Sequence, residues 1–303
     1  MYGSRWQRTQ YPGTPRRRIG GRFLIAAALA IMAVVGYVGQ KSENEITGET
    51  QHVALTREQE VALGLEAVPQ VAAEFGGLLD HPIADYVAEV GERVALGVGE
   101  KSNLYDYEFH VLADDQTVNA FALPGGQIFV TVAMLRSLDS EAELAGVLGH
   151  EVGHVVGRHG AEHLAKQQLG QGLVGAAGVA SWDPDNPSSA QAAMVAAAVN
   201  QLVQLRYSRS DELESDELGV RFLTASKYDP GAMIGVMQAL QRASKGRSAQ
   251  PEFFQTHPDP ENRIARLREL VGDHGGSGDL GEERYRDRVL LPLGERANVS
   301  GRE

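Results

Sequence analysis

The chain has 303 residues, 43% hydrophobic and 22% charged, with 28 Lys+Arg against 40 Asp+Glu for a formal net charge of -12, and no cysteine. That composition fits one large or two small globular domains and excludes wholesale disorder, a fibrous chain and a multi-spanning membrane protein. Without cysteine there is no disulfide framework, thiolate ligand, Cys nucleophile or lipidated Cys, so any metal site uses His and carboxylates. The acidic balance argues against a nucleic-acid partner, because phosphates are met by clustered Lys and Arg.

The first 41 residues carry Arg5, Arg8, Arg16, Arg17, Arg18, Arg22 and Lys41 and no acid. Within them, Phe23 to Gly39 is an uncharged apolar run of 17 residues. As a helix it spans about 25 Å, just short of a bilayer core of about 30 Å. It reads as one transmembrane signal anchor, with the basic segment 1–22 cytoplasmic and everything after Lys41 delivered to the opposite side. A cleaved signal peptide is the alternative, with Val34-Val35-Gly36 as its best, poor, cleavage site. The plain basic-apolar leader points to a bacterial inner membrane and a periplasmic domain.

Residues 40–54 are polar and acidic and read as a linker. A helix is expected from Thr56, where Thr56 and Gln59 make a capping box, and Pro69 should end or kink it. A second helix fits Ile83 to Leu96, with Ile83, Val87, Val90 and Val94 on one face. The period then changes: Tyr107 to Leu112 alternates as a strand, Val118 to Leu123 follows, and Pro124-Gly125-Gly126 turns into Gln127 to Val132. These three strands predict one small antiparallel sheet.

Ser140, followed three residues later by Glu143, caps a long helix through Leu144, Val147, Leu148, Val152 and Val155. That helix contains His150-Glu151-Val152-Gly153-His154, an H-E-x-x-H motif. Its two histidines lie about 40° apart around the axis, so both imidazoles reach one tetrahedral zinc, with Glu151 beside them to take a proton from the metal-bound water. Gly157 continues a metzincin pattern, but Gly160 stands where the third histidine belongs. His159 and His163 point away from the metal-facing side on a continuous helix and read as surface or second-layer histidines, not ligands.

A third ligand is available from Ser208 to Gly219. Glu212 and Asp216 stand at i and i+4 on one face, so Glu212 can ligate while Asp216 hydrogen-bonds a ligand imidazole and fixes its tautomer. Glu214 points elsewhere on the same helix. Taken alone, so many carboxylates would read as a solvated helix face.

The chain resembles the membrane-associated gluzincin metallopeptidases that include the CAAX prenyl proteases, HtpX, the Oma-type mitochondrial protease and the BepA-type periplasmic proteases. Four blocks carry the resemblance over about Leu55 to Gly272: Asn119-Ala120-Phe121-Ala122-Leu123-Pro124-Gly125-Gly126, His150-Glu151-x-x-His154, Ser208-Arg209-x-x-Glu212-x-x-x-Asp216-x-x-Gly219, and Thr256-His257-Pro258 with Arg263-Ile264. Ser215 replaces the usual Ala before the Asp. The resemblance implies an α+β, mainly α, zincin-type metalloprotease domain over 55–272. It implies one zinc held by His150, His154 and Glu212, with Glu151 as catalytic base and Asp216 behind a ligand histidine. Leu173 to Ala180 and Ala190 to Leu205 make no convincing spans, which favours the BepA-like and Oma-like type; too few residues follow Gly272 for a repeat array.

His257 has three readings: it hydrogen-bonds the tetrahedral oxyanion, it joins the zinc as a fourth ligand that silences the resting enzyme, or it is a helix-entry residue. Substrate is expected to add as a β-strand along Gln127 to Val132, with Asn119, Gly126, Gln127, Ile128, Phe129 and Val130 as the binding residues. The expected activity is a membrane-anchored endopeptidase that removes extended or misfolded envelope proteins. The alternative is a non-catalytic, zinc-stabilised chaperone or scaffold. The segment 273–303 is a tail in which Val289-Leu290-Leu291-Pro292-Leu293 docks on the domain or binds a partner.

Overall fold

The computed structural model describes residues 21–181, 206–244, 251–258, 262–275 and 277–294. Helix α1, Gly21–Gly39, begins it. Its side chains Leu24, Ile25, Ile31, Met32, Val35 and Val38 are exposed. Among the described residues no helix is long and apolar enough to cross a membrane.

The segment read as a linker is ordered. Strands β1, Lys41–Glu43, and β2, Thr50–His52, form an antiparallel ribbon. Asn44 and Gln51 are buried at its base and donate to the carbonyls of Val156 and Gly157. A polar stretch looks like a linker when its polar groups are assigned to water; here they satisfy carbonyls at a helix C-terminus.

Helix α2, Arg57–Glu74, starts at the expected Thr56–Gln59 capping box and runs through Pro69 without ending there. The carbonyl that Pro69 leaves without a donor is that of Leu65, and both residues lie on the exposed face, where water replaces the lost bond. Helix α3 covers Pro82–Leu96, with Ile83, Val87, Val90 and Val94 buried as the spacing predicts.

The three expected strands are β3 (Glu108–Leu112), β4 (Ala120–Ala122) and β5 (Gln127–Thr131). Their order is β3-β5-β4, with β5 parallel to β3 and antiparallel to β4. The sheet is therefore mixed, not antiparallel. The tight turn at Pro124-Gly125-Gly126, with both glycines at positive φ, makes β4 and β5 a hairpin. The loop 113–119 is long enough to carry the chain past β5 and set β4 outside it.

Behind the sheet lie α4 (Val132–Ser137) and α5 (Glu141–Val156), the latter with all sixteen residues buried. α6 spans His159–Ser181 and packs along α1, where a Cβ on Gly172 would stand 2.9 Å from that of Ala33. Leu173 to Ala180 falls within α6, and the expected helix over 190–205 lies outside the described residues. α7 (Arg209–Ala225) and α8 (Ala232–Ser244) close the core around α5. A short turn, α9 (Phe253–Thr256), and α10 (Arg263–Asp273) follow.

The C-terminal segment is part of this core. α11 (Glu282–Tyr285) runs into a π-helical turn, Arg286–Leu290. Tyr285, Val289 and Leu293 are buried in the same cluster as α3, α5 and α7. The domain thus extends beyond 272, to at least Leu293, because these apolar residues pack inward.

Candidate active site

The site is built on the contact between α5 and α7. Gly149 and Gly153 of α5 face Gly219 and Ser215 of α7, and a Cβ on Gly153 would lie 3.0 Å from the Cα of Ser215. Only small residues permit that approach, and it brings the carboxylates of α7 onto the imidazoles of α5. Both helices start from side-chain caps: Ser140 accepts from the backbone of Glu143, and Ser208 and Asp211 cap each other reciprocally.

His150, His154, Glu212 and His257 each offer one ligand atom, and these atoms lie within 4.8 Å of one another. The Nε2 atoms of His150 and His154 are 3.1 Å apart, and each is 3.4 Å from a Glu212 carboxylate oxygen. His257 ends α9, its ring stacked on Phe253, with Nδ1 3.0 Å from Glu212 Oε1 and Nε2 3.6 Å from Glu151 Oε1. Of its three readings, the geometry brings His257 into the ligand cluster at the end of a helical turn, not at a helix entry.

Asp216 Oδ1 lies 3.1 Å from His150 Nδ1. The same carboxylate is gripped by Arg263, whose Nε and Nη2 donate at 2.7 Å. Arg263 had no role assigned from the sequence; its signal was only its place in the last block of the resemblance. Tyr207, also without an assigned role, stacks on His154 with ring centroids 3.8 Å apart and donates its hydroxyl to the carbonyl of Ala122 at 3.4 Å.

His159, expected to face away, is buried against the site. Its Nδ1 lies 2.9 Å from His154 Nδ1, and its Nε2 lies 3.0 Å from Glu214. α5 stops at Val156 and Arg158 adopts φ 56, so the spacing of one continuous helix does not carry through to His159. Arg158 is held there by Glu60 and the carbonyl of Leu55, so α6 starts afresh and turns His159 back. His163 reaches Asp211 at 2.9 Å, away from the cluster.

The electrostatics follow from burial and pairing. Burial alone would lower the pKa of His150, but Asp216 and Glu212 overcome it and hold it up at about 9. His154 is pushed well below its ordinary value by burial. Glu151 is pushed up, also by burial. Burial would raise Glu212 too, but His257, His150 and His154 hold it well below the usual carboxylate range. Asp216 is lowered by Arg263 and His150 against the same burial penalty.

Both oxygens of Glu151 and Nε2 of His257 are buried without a hydrogen-bond partner, while Oε2 of Glu212 lies 3.1 Å from Arg263 Nη1. Unpaired buried polar atoms are costly, and these three beside the ligand cluster call for a further group. A two-His, one-Glu donor set suits zinc, so the residues present fit that metal.

The expected substrate strand does not have the needed edge. β5 pairs with β3 on one side and β4 on the other, so Gln127, Ile128, Phe129 and Val130 have no free backbone to offer, and Gly126 serves the turn. The outer strand is β4. Thr131 donates to the Asn119 carbonyl and Leu123 to that of Gln127, so the alternation turns the backbone groups of Ala120 and Ala122 outward. Asn119, just before β4, is fully buried with neither side-chain atom partnered.

The sequence model of peptidase family M48 matches residues 83–271, more than half of the chain and all of the cluster. The chain belongs to peptidase family M48. This M48 chain is 30% identical over 226 residues to the β-barrel assembly-enhancing protease of Yersinia pestis, covering 73% of this chain and 46% of that protein. It is 29% identical over 253 residues to its namesake from Escherichia coli strain K12, covering 81% and 51%. It is also 32% identical over 215 residues to the mitochondrial metalloendopeptidase OMA1 of Schizosaccharomyces pombe, covering 70% and 61%. The M48 chain spans about half the length of the β-barrel assembly-enhancing proteases it matches.

Proposed function

We propose that the chain is a zinc-dependent endopeptidase that hydrolyses extended or misfolded polypeptides of a cell envelope and is held at a membrane by α1. The observation that carries the catalytic part is Glu151: a fully buried carboxylate with no hydrogen-bond partner, beside the His150, His154 and Glu212 cluster. A zinc-stabilised scaffold has no use for that group. Zinc, when bound, lowers the pKa of a coordinated water toward about 7 and polarises a carbonyl. Burial raises the Glu151 pKa, which suits this carboxylate to take a proton from the attacking water and return it to the leaving amine. Asp216, braced by Arg263, orients His150.

The outward backbone groups of β4 support pairing with an extended peptide, and the unpartnered amide of Asn119 is suited to a peptide group at the start of that strand. Tyr207 covers Ala122, and His257 sits within the ligand set, so the geometry supports a closed resting form in which His257 is the fourth ligand. Five arginines before α1, with Arg22 in its first turn, and its exposed apolar side chains support attachment of α1 to a bilayer. Likeness to β-barrel assembly-enhancing proteases supports substrates among envelope proteins. Release of the chain from membranes by alkaline carbonate would sink the attachment.

The test is casein cleavage by the full-length chain in detergent, wild type against Glu151→Gln, after chelation and return of one equivalent of zinc. Wild type regains cleavage, and the variant binds zinc but turns over slower by about 10²–10⁴-fold. Equal cleavage by both ends the assignment of Glu151. His257→Ala is expected to cleave faster than wild type; loss of activity with zinc retained would give His257 the oxyanion role instead.

A further inference from the structure

The two ligand histidines on α5 are braced differently. His150 Nδ1 meets a buried carboxylate, Asp216, directly at 3.1 Å. Among the described residues His154 Nδ1 meets no carboxylate; at 2.9 Å stands Nδ1 of His159, whose Nε2 lies 3.0 Å from Glu214 Oε2. We infer that His159 and Glu214 are positioning residues for His154, forming a relay that fixes which of its nitrogens is free to bind the metal. The inference rests on the reading of His154 as a zinc ligand.

Each link in the relay dictates the next. An ionised carboxylate only accepts hydrogen bonds, so Glu214 requires the proton of His159 on Nε2. A neutral imidazole has one donor and one acceptor, so His159 Nδ1 then accepts. His154 must therefore carry its proton on Nδ1, which leaves the Nε2 lone pair facing His150 Nε2 and Glu212. That is the tautomer a ligand histidine needs, and an outer hydrogen bond of this kind also holds the ring in place.

The local backbone is shaped for this arrangement. The reversal at Arg158 presents His159 to the back of His154. Gly157 leaves room for it: a Cβ there would lie 2.5 Å from His159 Nε2. Ser215 Oγ, at 3.4 Å, is the other polar atom near His159 Nδ1, too long to replace the His154 contact. His159 is 1% exposed, whereas the Glu214 side chain is 19% exposed and ends the relay at the solvent edge.

The experiment measures zinc affinity by chelator competition, together with the absorption spectrum of the cobalt(II) form, on full-length chain in detergent. Variants are His159→Phe, His159→Gln, Glu214→Ala and His154→Ala, each checked for folding by circular dichroism. His159→Phe keeps the ring volume and loses the acceptor, so zinc binds about 10–100-fold more weakly and the cobalt bands shift. His159→Gln offers a carbonyl oxygen to the same Nδ1–H and recovers affinity to within about threefold. Glu214→Ala weakens binding by about threefold or more.

Zinc affinity within twofold of wild type in a folded His159→Phe overturns the inference, as does a His159→Gln no better than His159→Phe, which would mean packing alone. Should His159→Phe not fold, Glu214→Ala decides, since its partly exposed position carries little packing; unchanged affinity there overturns the relay. His154→Ala separates the two readings. If it binds zinc as tightly as wild type, the ligand assignment falls and the relay with it; if it loses zinc while the relay variants do not, the relay falls alone.

Discussion

Glu141 opens the H-E-x-x-H helix and is sealed from solvent. Four side chains converge on it: Tyr86 donates at 2.5 Å, Tyr228 at 2.8 Å, Arg284 Nε at 2.9 Å and Arg93 at 3.1 Å. Burial would raise its pKa, but the bonds from Arg284, Tyr86 and Tyr228 prevail and bring it from 4.5 down to about 2. A carboxyl depressed by folding adds stability above its unfolded pKa, and that share is lost as pH falls through the folded pKa. The depression corresponds to about 3 kcal/mol at pH 7. Solvent around the half-exposed heads of Arg93 and Arg284 reduces this to about 2 kcal/mol. Glu141→Gln removes the charge and keeps the shape. In urea unfolding of chelated protein, the variant is expected to be less stable by about 2 kcal/mol at pH 7, with the gap narrowing to about 1 kcal/mol or less at pH 3. A gap below about 0.5 kcal/mol at pH 7, or one that stays constant down to pH 3, refutes the reasoning.

The same unfolding assay tests the C-terminal segment. Val289→Ala, at a fully buried position, should cost about 2 kcal/mol, and a stop after Gly275 should leave an unfolded or aggregated chain; a soluble, cooperatively melting truncation contradicts the packing. At the contact between α5 and α7, Gly153→Val forces a branched side chain against the backbone of Ser215. The helices must part, and zinc affinity should fall by about tenfold or more in a chain that still folds; unaltered affinity would mean that the close approach does not set the ligand distances.

Local patterns in the sequence were the legible ones. H-E-x-x-H and the Glu212–Asp216 pair sit at helical spacing, and spacing within a helix fixes which side chains share a face. The Thr56–Gln59 and Ser140–Glu143 caps are likewise local. What the sequence hid depends on distant pairing or on a single dihedral. The place of β5 between its neighbours depends on how the 113–119 loop crosses. The orientation of His159 depends on one left-handed residue, Arg158; Gly157 before it was the available sign of a helix end. Residues 40–54 looked free because their polar side chains satisfy carbonyls more than a hundred residues away.

The packing of Tyr285, Val289 and Leu293 sets an order of maturation. When the H-E-x-x-H helix leaves the ribosome, the side chains that complete its core are more than a hundred residues from being made, and Arg284, which reaches Glu141 at its first turn, is among them. A chain extended or interrupted between His257 and Arg284 thus holds His150, His154, Glu212 and His257 yet lacks the packing that positions them. The geometry of the His150, His154, Glu212 and His257 cluster is therefore expected to form only after Leu293 has been made, so metal affinity trails the synthesis of its ligands.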